Sequence, residues 1–330
     1  MKKTAAAMAL AVVLAGCRAK DVPEEKRLKI GVSVYDSYDT FISELMSDFN
    51  AAVAGSENIS LEINNAAKSQ QTQNKQTEAM ITGGCDVICI NLVDRTSPRK
   101  IIDLAQKNNV PVIFFNRELV EEDLMQWEEL YYIGADAEQS GVMQGELAAE
   151  AFQDMSLDKN GDGIIQYVIL EGEVNHQDAI VRTEKCVDTL IEKGYQVDKI
   201  ASITANWSRS QAQSRISVLI ESNQSEIELI MGNNDDMALG AIDAYKASGT
   251  DRADWPVIVG IDGTADGLKA VADGEMYGTV FNDQKGQAQA MAALAVELAS
   301  QKNTSKSERE KYIRLPYRKV TKDNIRDYLD

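Results

Sequence analysis

The stretch Asp86-Val87-Ile88-Cys89-Ile90-Asn91-Leu92 is followed by Arg99 to Lys107 and then by Val110-Pro111-Val112-Ile113-Phe114-Phe115-Asn116. The first and third pieces are short apolar runs bounded by polar turn residues, and they predict strands. The middle piece predicts a helix that stops at Asn108-Asn109. Strands that are apolar throughout, rather than alternating, are covered on both faces, and a helix between them makes them parallel neighbours. The same unit repeats toward the N-terminus. Lys29 to Val34 and Ser60 to Asn64 predict strands, Phe41, Leu45, Phe49 and Val53 recur at helical spacing, and Gln71 to Ile81 predicts a helix.

Downstream the pattern restarts. Tyr131 to Ala135 leads into a helix from about Gln139 to Phe152. Strands are predicted at Ile165 to Leu170, Lys199 to Ala205, Glu228 to Met231 and Pro256 to Ile261, with helices at Ala179 to Lys193, Ser210 to Ser222 and Met237 to Ala247 between them. The fold class is therefore α/β, with two doubly wound parallel-sheet lobes in tandem. Gly278 to Phe281 and Tyr317 to Val320 read as late strands on either side of a helix at about Gly286 to Ser300, and are expected to cross back between the lobes. The expected division is 28–134 with 282–318 in one lobe and 135–281 with 319–330 in the other.

The first residues speak to compartment. Met1-Lys2-Lys3 is basic, Thr4 to Leu14 is a short run of small and apolar residues, and Leu14-Ala15-Gly16-Cys17 follows. That order reads as a secretory signal over 1–16, too short for a permanent membrane span. Its end resembles the lipobox of bacterial lipoproteins, which implies that Cys17 carries a diacylglyceryl anchor, and two acyl chains suffice for stable attachment. Residues 17–27 read as a polar tether. Attachment to a membrane is expected through this anchor alone.

Composition narrows the partners. The formal charge is −18, from 52 acidic and 34 basic residues, a poor match for nucleic acid or anionic lipid. A single histidine, His176, rules out a His-rich metal site and limits any catalytic triad to its neighbourhood. Cys85 and Cys89 lie on one strand, four residues apart and too far to bridge, so they read with Cys186 as buried thiols.

Ligands of open α/β sheets sit outside the carboxyl ends of the strands. There the sequence places Tyr35, Asp39 and Phe41, Asn116, Glu171 to Asp178 with Arg182, Asn206 and Trp207, Asn233 to Asp235, Asp262, and Asn282 with Asp283. Asp and Asn are common at such positions as helix caps, and Asp235 and Asp178 are the plainest cap candidates. The set as a whole suits a monosaccharide, with carboxylates and amides for hydroxyl edges and aromatic rings for the C–H faces.

At these residues the chain resembles the bacterial galactose/glucose-binding proteins, the periplasmic sugar-binding proteins of ABC importers. The resemblance is carried by Asp39-Thr40-Phe41, Phe114-Phe115-Asn116, His176-Gln177-Asp178 with Arg182, Trp207, Asn233 to Ala238, Gly260-Ile261-Asp262 and Gly278 to Asp283, from about Leu28 to Leu329. It implies a periplasmic-binding-protein type I fold whose lobes are joined by a three-segment hinge and close on one D-galactose or D-glucose. Phe41 and Trp207 would stack on the ring. Asp39 would bond the 4-hydroxyl of either epimer, and Asn116, His176, Asp178, Arg182, Asn234, Asp262 and Asn282 the remaining oxygens. Delivery to the membrane subunits of an ABC importer, a monomer, and no catalytic activity are expected. A chemotaxis receptor is a second client that the resemblance leaves open, and another monosaccharide is the alternative ligand.

Asp158-Lys159-Asn160-Gly161-Asp162-Gly163-Ile164-Ile165-Gln166 matches the first nine positions of an EF-hand loop, with ligands expected from Asp158, Asn160, Asp162, the Ile164 carbonyl and Gln166. The twelfth position is Ile169, so the last carboxylate must come from elsewhere, and the resemblance implies Glu228. Structural Ca2+ is the expected cofactor.

Overall fold

A computed structural model describes residues 27–54, 58–153, 156–223, 227–300 and 309–329. The signal segment and Cys17 lie outside the described residues. The first sheet begins with β1 (Leu28–Val34), α1 (Thr40–Ala54), β2 (Ile59–Asn65), α2 (Gln70–Thr82), β3 (Val87–Ile90), α3 (Arg99–Asn108), β4 (Val112–Phe115), the short α4 (Glu121–Leu124) and β5 (Leu130–Ala135). The second contains α5 (Ala137–Ala151), β6 (Ile164–Glu171), α6 (Gln177–Glu192), β7 (Gln196–Thr204), α7 (Arg209–Asn223), β8 (Leu229–Gly232), α8 (Asp235–Ser248), β9 (Val257–Asp262), α9 (Ala265–Ala272) and β10 (Gly278–Phe281). The chain ends with α10 (Gln284–Ser300), β11 (Tyr312–Leu315) and β12 (Arg318–Thr321).

The strand orders are β11-β5-β4-β3-β1-β2 and β12-β10-β9-β8-β6-β7, so the two lobes repeat one strand order and differ in the direction of the last edge strand. Each order reverses between the first and third strands of its lobe, the place where such sheets bind ligands. β3 and β4 are buried along their whole length, as their apolar runs require. α1 and α10 cover one face of the first sheet with Leu45, Phe49, Met291 and Leu298, while Met80, Ile101 and Ile102 cover the other. Burying each such side chain is worth about 1.5–3 kcal/mol. The stop at Asn109 is a left-handed cap at φ 53°, whose N–H reaches back to the carbonyls of Ala105 and Gln106.

The late strands differ from expectation. β10 and β12 both belong to the second sheet, as its antiparallel pair, and neither crosses between lobes. The strand that returns to the first sheet is β11, parallel to β5. β11 and β12 are short edge strands separated by two residues, one beside β5 and the other beside β10, so the crossing falls between them and not at either predicted strand. The chain passes between sheets after β5, after β10 and between β11 and β12.

Candidate functional site

The facing carboxyl ends of the two sheets line one small, tightly packed cavity. It is lined by Asp39, Phe41, Asn116, His176, Asp178, Arg182, Trp207, Asn234 and Asp262, together with Tyr35 and Arg117. Asn282 sits behind this wall. It is buried, its N–H donates to the Asp262 carbonyl at 2.9 Å, and its Oδ1 accepts from Gln287 at 2.6 Å.

Several of these residues hold helix starts as well as facing the cavity. Asp39 Oδ1 accepts the Ile42 N–H at 2.9 Å at the start of α1, and Asn234 Oδ1 accepts the Met237 N–H at 3.0 Å at the start of α8. His176 Nδ1 accepts the Asp178 N–H at 3.2 Å at the start of α6. The two residues singled out as plain caps are therefore not the caps: His176 and Asn234 are. With Nδ1 occupied as an acceptor, the neutral ring carries its hydrogen on Nε2. Burial, followed by the nearby charges of Arg117, Arg182 and Arg95, holds the His176 pKa well below the usual imidazole range.

Asp235 is instead a structural knot. Its Oδ2 accepts the Thr264 N–H at 2.9 Å and its Oδ1 accepts the Thr279 hydroxyl at 2.6 Å, tying α8 to α9 and β10.

Backbone geometry aims the side chains. Asn116 has φ 60°, Trp207 φ 63° and Asp262 φ 122°, conformations that cost non-glycine residues and gather at functional sites. Gly172 makes room for the Trp207 indole, since a Cβ there would lie 2.0 Å from its Cζ2. The indole stands edge-on to His176 with centroids 5.0 Å apart.

Arg182 is buried and braced on every side. Nη1 donates to the Asn233 carbonyl at 2.8 Å, Nη2 to the Tyr317 hydroxyl at 3.0 Å and Nε to Ser140 Oγ at 3.2 Å. Asp178 and Asp262 lie 3.7 and 3.9 Å from it. Burial pushes the pKa values of both carboxylates up, most strongly at Asp262, and Arg182 offsets this only in part.

The lobes also touch directly. Thr40 Oγ1 donates to Asp236 Oδ2 at 2.7 Å, the Ala265 N–H to Glu44 Oε1 at 3.2 Å, and Glu173 accepts from both Lys68 and Arg117. The cleft is closed. The strand-end rule reached Tyr35 and the run that holds Glu173 without giving either a role, and it missed Arg117. Arg117 directly follows Asn116 and Glu173 lies in the loop before His176, so position was the only available signal.

A second cluster lies at the other end of the second sheet. Asp158 accepts the N–H groups of Gly161 at 2.7 Å and Gly163 at 2.8 Å, and Asn160 Oδ1 accepts that of Asp162 at 2.8 Å. Gln166 Nε2 donates to Asp162 at 2.9 Å, and Ile164 opens β6. Glu228 is buried and accepts the N–H groups of Lys159 at 2.5 Å and Gln166 at 3.3 Å, so its carboxylate lies against the loop. The side-chain donors gathered here are carboxylates and amides, which suit a hard cation. Among the described residues no three His, Cys, Asp or Glu side chains converge as a ready metal centre. A loop of this type needs no such trio, because amide and carbonyl oxygens fill the remaining positions.

The sequence matches the periplasmic binding protein domain over residues 30–303. It is 34% identical to the D-galactose/methyl-galactoside binding periplasmic protein MglB of Haemophilus influenzae across the full length of both chains. It is 33% identical to a xylitol-binding protein of Mycolicibacterium smegmatis, over 97% of this chain and 85% of that one. An ABC transporter solute binding protein of Bacillus halodurans, solved with myo-inositol, superposes with a TM-score of 0.79 at 28% identity, covering 93% of this chain and 98% of that one. The chain belongs to the periplasmic binding protein family, whose members are solute-binding proteins and not enzymes, and its fold is the type I fold of that family.

Proposed function

We propose that this protein captures D-galactose or D-glucose outside the cytoplasm and delivers it to an ABC importer. The observation that carries the reading is the closed cavity between the lobes, with Phe41 and Trp207 in its wall beside a ring of carboxylates and amides. Asp39, Asp178 and Asp262 accept from hydroxyls, Asn116 and Asn234 accept and donate, and Arg182 and His176 donate. Bonds to charged partners contribute about 1.5–3 kcal/mol each. Sugar contacts to both lobes exist only when the cleft is closed, so the sugar shifts the population toward the closed form that an importer, or a chemotaxis receptor, recognises. Asn282 acts from behind by orienting Asp262.

The same reading assigns structural Ca2+ to Asp158, Asn160, Asp162, Ile164, Gln166 and Glu228, a secretory signal to 1–16 and a lipid anchor to Cys17. Calcium supplies charge that ties the loop to the start of β8. The lobes are proposed to divide as expected at 134/135 and 281/282, while the third boundary moves from 318 to the turn between β11 and β12, because Arg318 already pairs with Phe281 in the second sheet.

A polyol is the second reading, favoured by the names of the xylitol- and myo-inositol-binding relatives. Thermal shift against D-galactose, D-glucose, D-ribose, xylitol and myo-inositol separates the two. The hexoses are expected to raise Tm most. A larger rise with a polyol would replace the hexose reading. Trp207→Ala is expected to weaken hexose binding roughly 10–100-fold, the worth of one buried aromatic face, as read by titration.

A further inference from the structure

Arg182, on α6 of the second lobe, is buried and lines the cavity. Its guanidinium is also bonded to the segments that join the lobes. Nη2 donates to the Tyr317 hydroxyl at 3.0 Å and Nε to Ser140 Oγ at 3.2 Å. Tyr317 is one of the two residues between β11 and β12, in the third crossing, and Ser140 lies in the first turn of α5, just after the first crossing. Those two segments are fastened to each other as well, since the Tyr317 N–H donates to Gln139 Oε1 at 2.9 Å. The second crossing is reached through Asp262. Its Oδ1 lies 3.9 Å from Arg182 Nη1, and its carbonyl accepts the N–H of Asn282, the residue that follows β10.

Tyr317 is buried in the core of the second lobe with Leu147, Val259 and Ile261. Burial pushes its pKa up to about 12 against the charge of Arg182, so the hydroxyl keeps its hydrogen and offers Arg182 a neutral acceptor. Ser140, Asn233 and the Tyr317 ring all sit in the second lobe with Arg182. Opening the cleft therefore leaves this brace in place. Arginine has among the most rotamer freedom to lose, and a guanidinium held before the ligand arrives loses less of it on binding.

We propose that Tyr317 is a positioning residue: from the third crossing, its hydroxyl holds the Arg182 guanidinium in its ligand-binding pose. The proposal rests on the hexose reading above, which gives Arg182 its contact. It is tested by a double-mutant cycle, read by calorimetric titration with the hexose that the parent protein binds. Tyr317→Phe keeps the buried ring and removes the acceptor, and is expected to weaken binding about tenfold. In an Arg182→Met background the same change should cost about twofold or less, because no guanidinium is left to position. Unchanged affinity in Tyr317→Phe would overturn the proposal. So would equal losses in the two backgrounds, the mark of a merely structural role.

The brace is also readable without sugar. In the sugar-free protein the Nε–H of Arg182, identified in the NMR spectrum by its loss in Arg182→Lys, should exchange with water roughly tenfold faster when Tyr317→Phe is present. Equal exchange rates would overturn the positioning role. If the parent binds no hexose, the hexose reading fails, while this comparison still decides on Tyr317. It decides equally if Arg182→Met binds too weakly to titrate.

Discussion

Asp235 has no exposed surface and is surrounded by Thr264, Thr279 and the closely packed Gly260 and Gly267. Burial pushes its carboxyl from 3.8 up to about 7, against the hydrogen bonds from Thr279 and Thr264 that lower it. A raised pKa means that the native state holds this proton more tightly than the unfolded chain. The protonated carboxyl therefore supports the fold below about pH 4, and its contribution is lost as pH climbs toward 7. A shift of about three units corresponds to at most about 4 kcal/mol. Asp235→Asn cannot titrate. Urea unfolding should show the wild type losing stability relative to this variant between pH 4 and pH 7, and parallel pH profiles would contradict the assignment. Arg182 stands at the other extreme: burial disfavours its charge, but Tyr317, Asp262 and Asp178 outweigh this and the net shift is upward.

At the scale of elements, the site is built from helix starts. α1, α6 and α8 all begin at the cleft, and their capping side chains are Asp39, His176 and Asn234. Capping and ligand binding are thus not rival explanations for polar residues after strands, because one side chain does both. The loop proposed to hold calcium belongs to this scale too, since it precedes β6 and leans on Glu228 before β8. Excess chelator is expected to lower Tm by several degrees in scanning calorimetry and to leave sugar affinity within about twofold, because the loop lies away from the cavity. Glu228→Gln should abolish the response to chelator. An unchanged Tm in the parent would remove calcium from the account.

Much of this architecture was legible in the residues. β3, β4, β6 and β9 are near-continuous apolar runs, and buried parallel strands leave that signature. α9 was missed because it is only eight residues, three of them Ala, with a Gly inside the first turn. β11 was missed because Tyr-Ile-Arg-Leu is too short to show a period. The strand-end rule found most of the cavity wall, since it depends only on topology. It could not find Glu173 bound to Arg117, because that contact spans 56 positions and exists only when two separately folded halves meet.

The whole molecule is two copies of one topology joined by three strands of chain, and each lobe keeps its own cores on both faces of its sheet. Bending the three connections therefore separates the lobes without opening a core, and the cost of opening falls on the cleft contacts alone. Among the described residues no helix is long and apolar enough to cross a membrane. The central claim is that this cleft closes on one hexose. Calorimetric titration of the purified, sugar-stripped protein with D-galactose and then D-glucose tests it most directly. The account predicts one sugar per chain at micromolar affinity or tighter for at least one of them, weakened by Asp39→Ala. No heat with either sugar, from a folded and calcium-loaded sample, would contradict it.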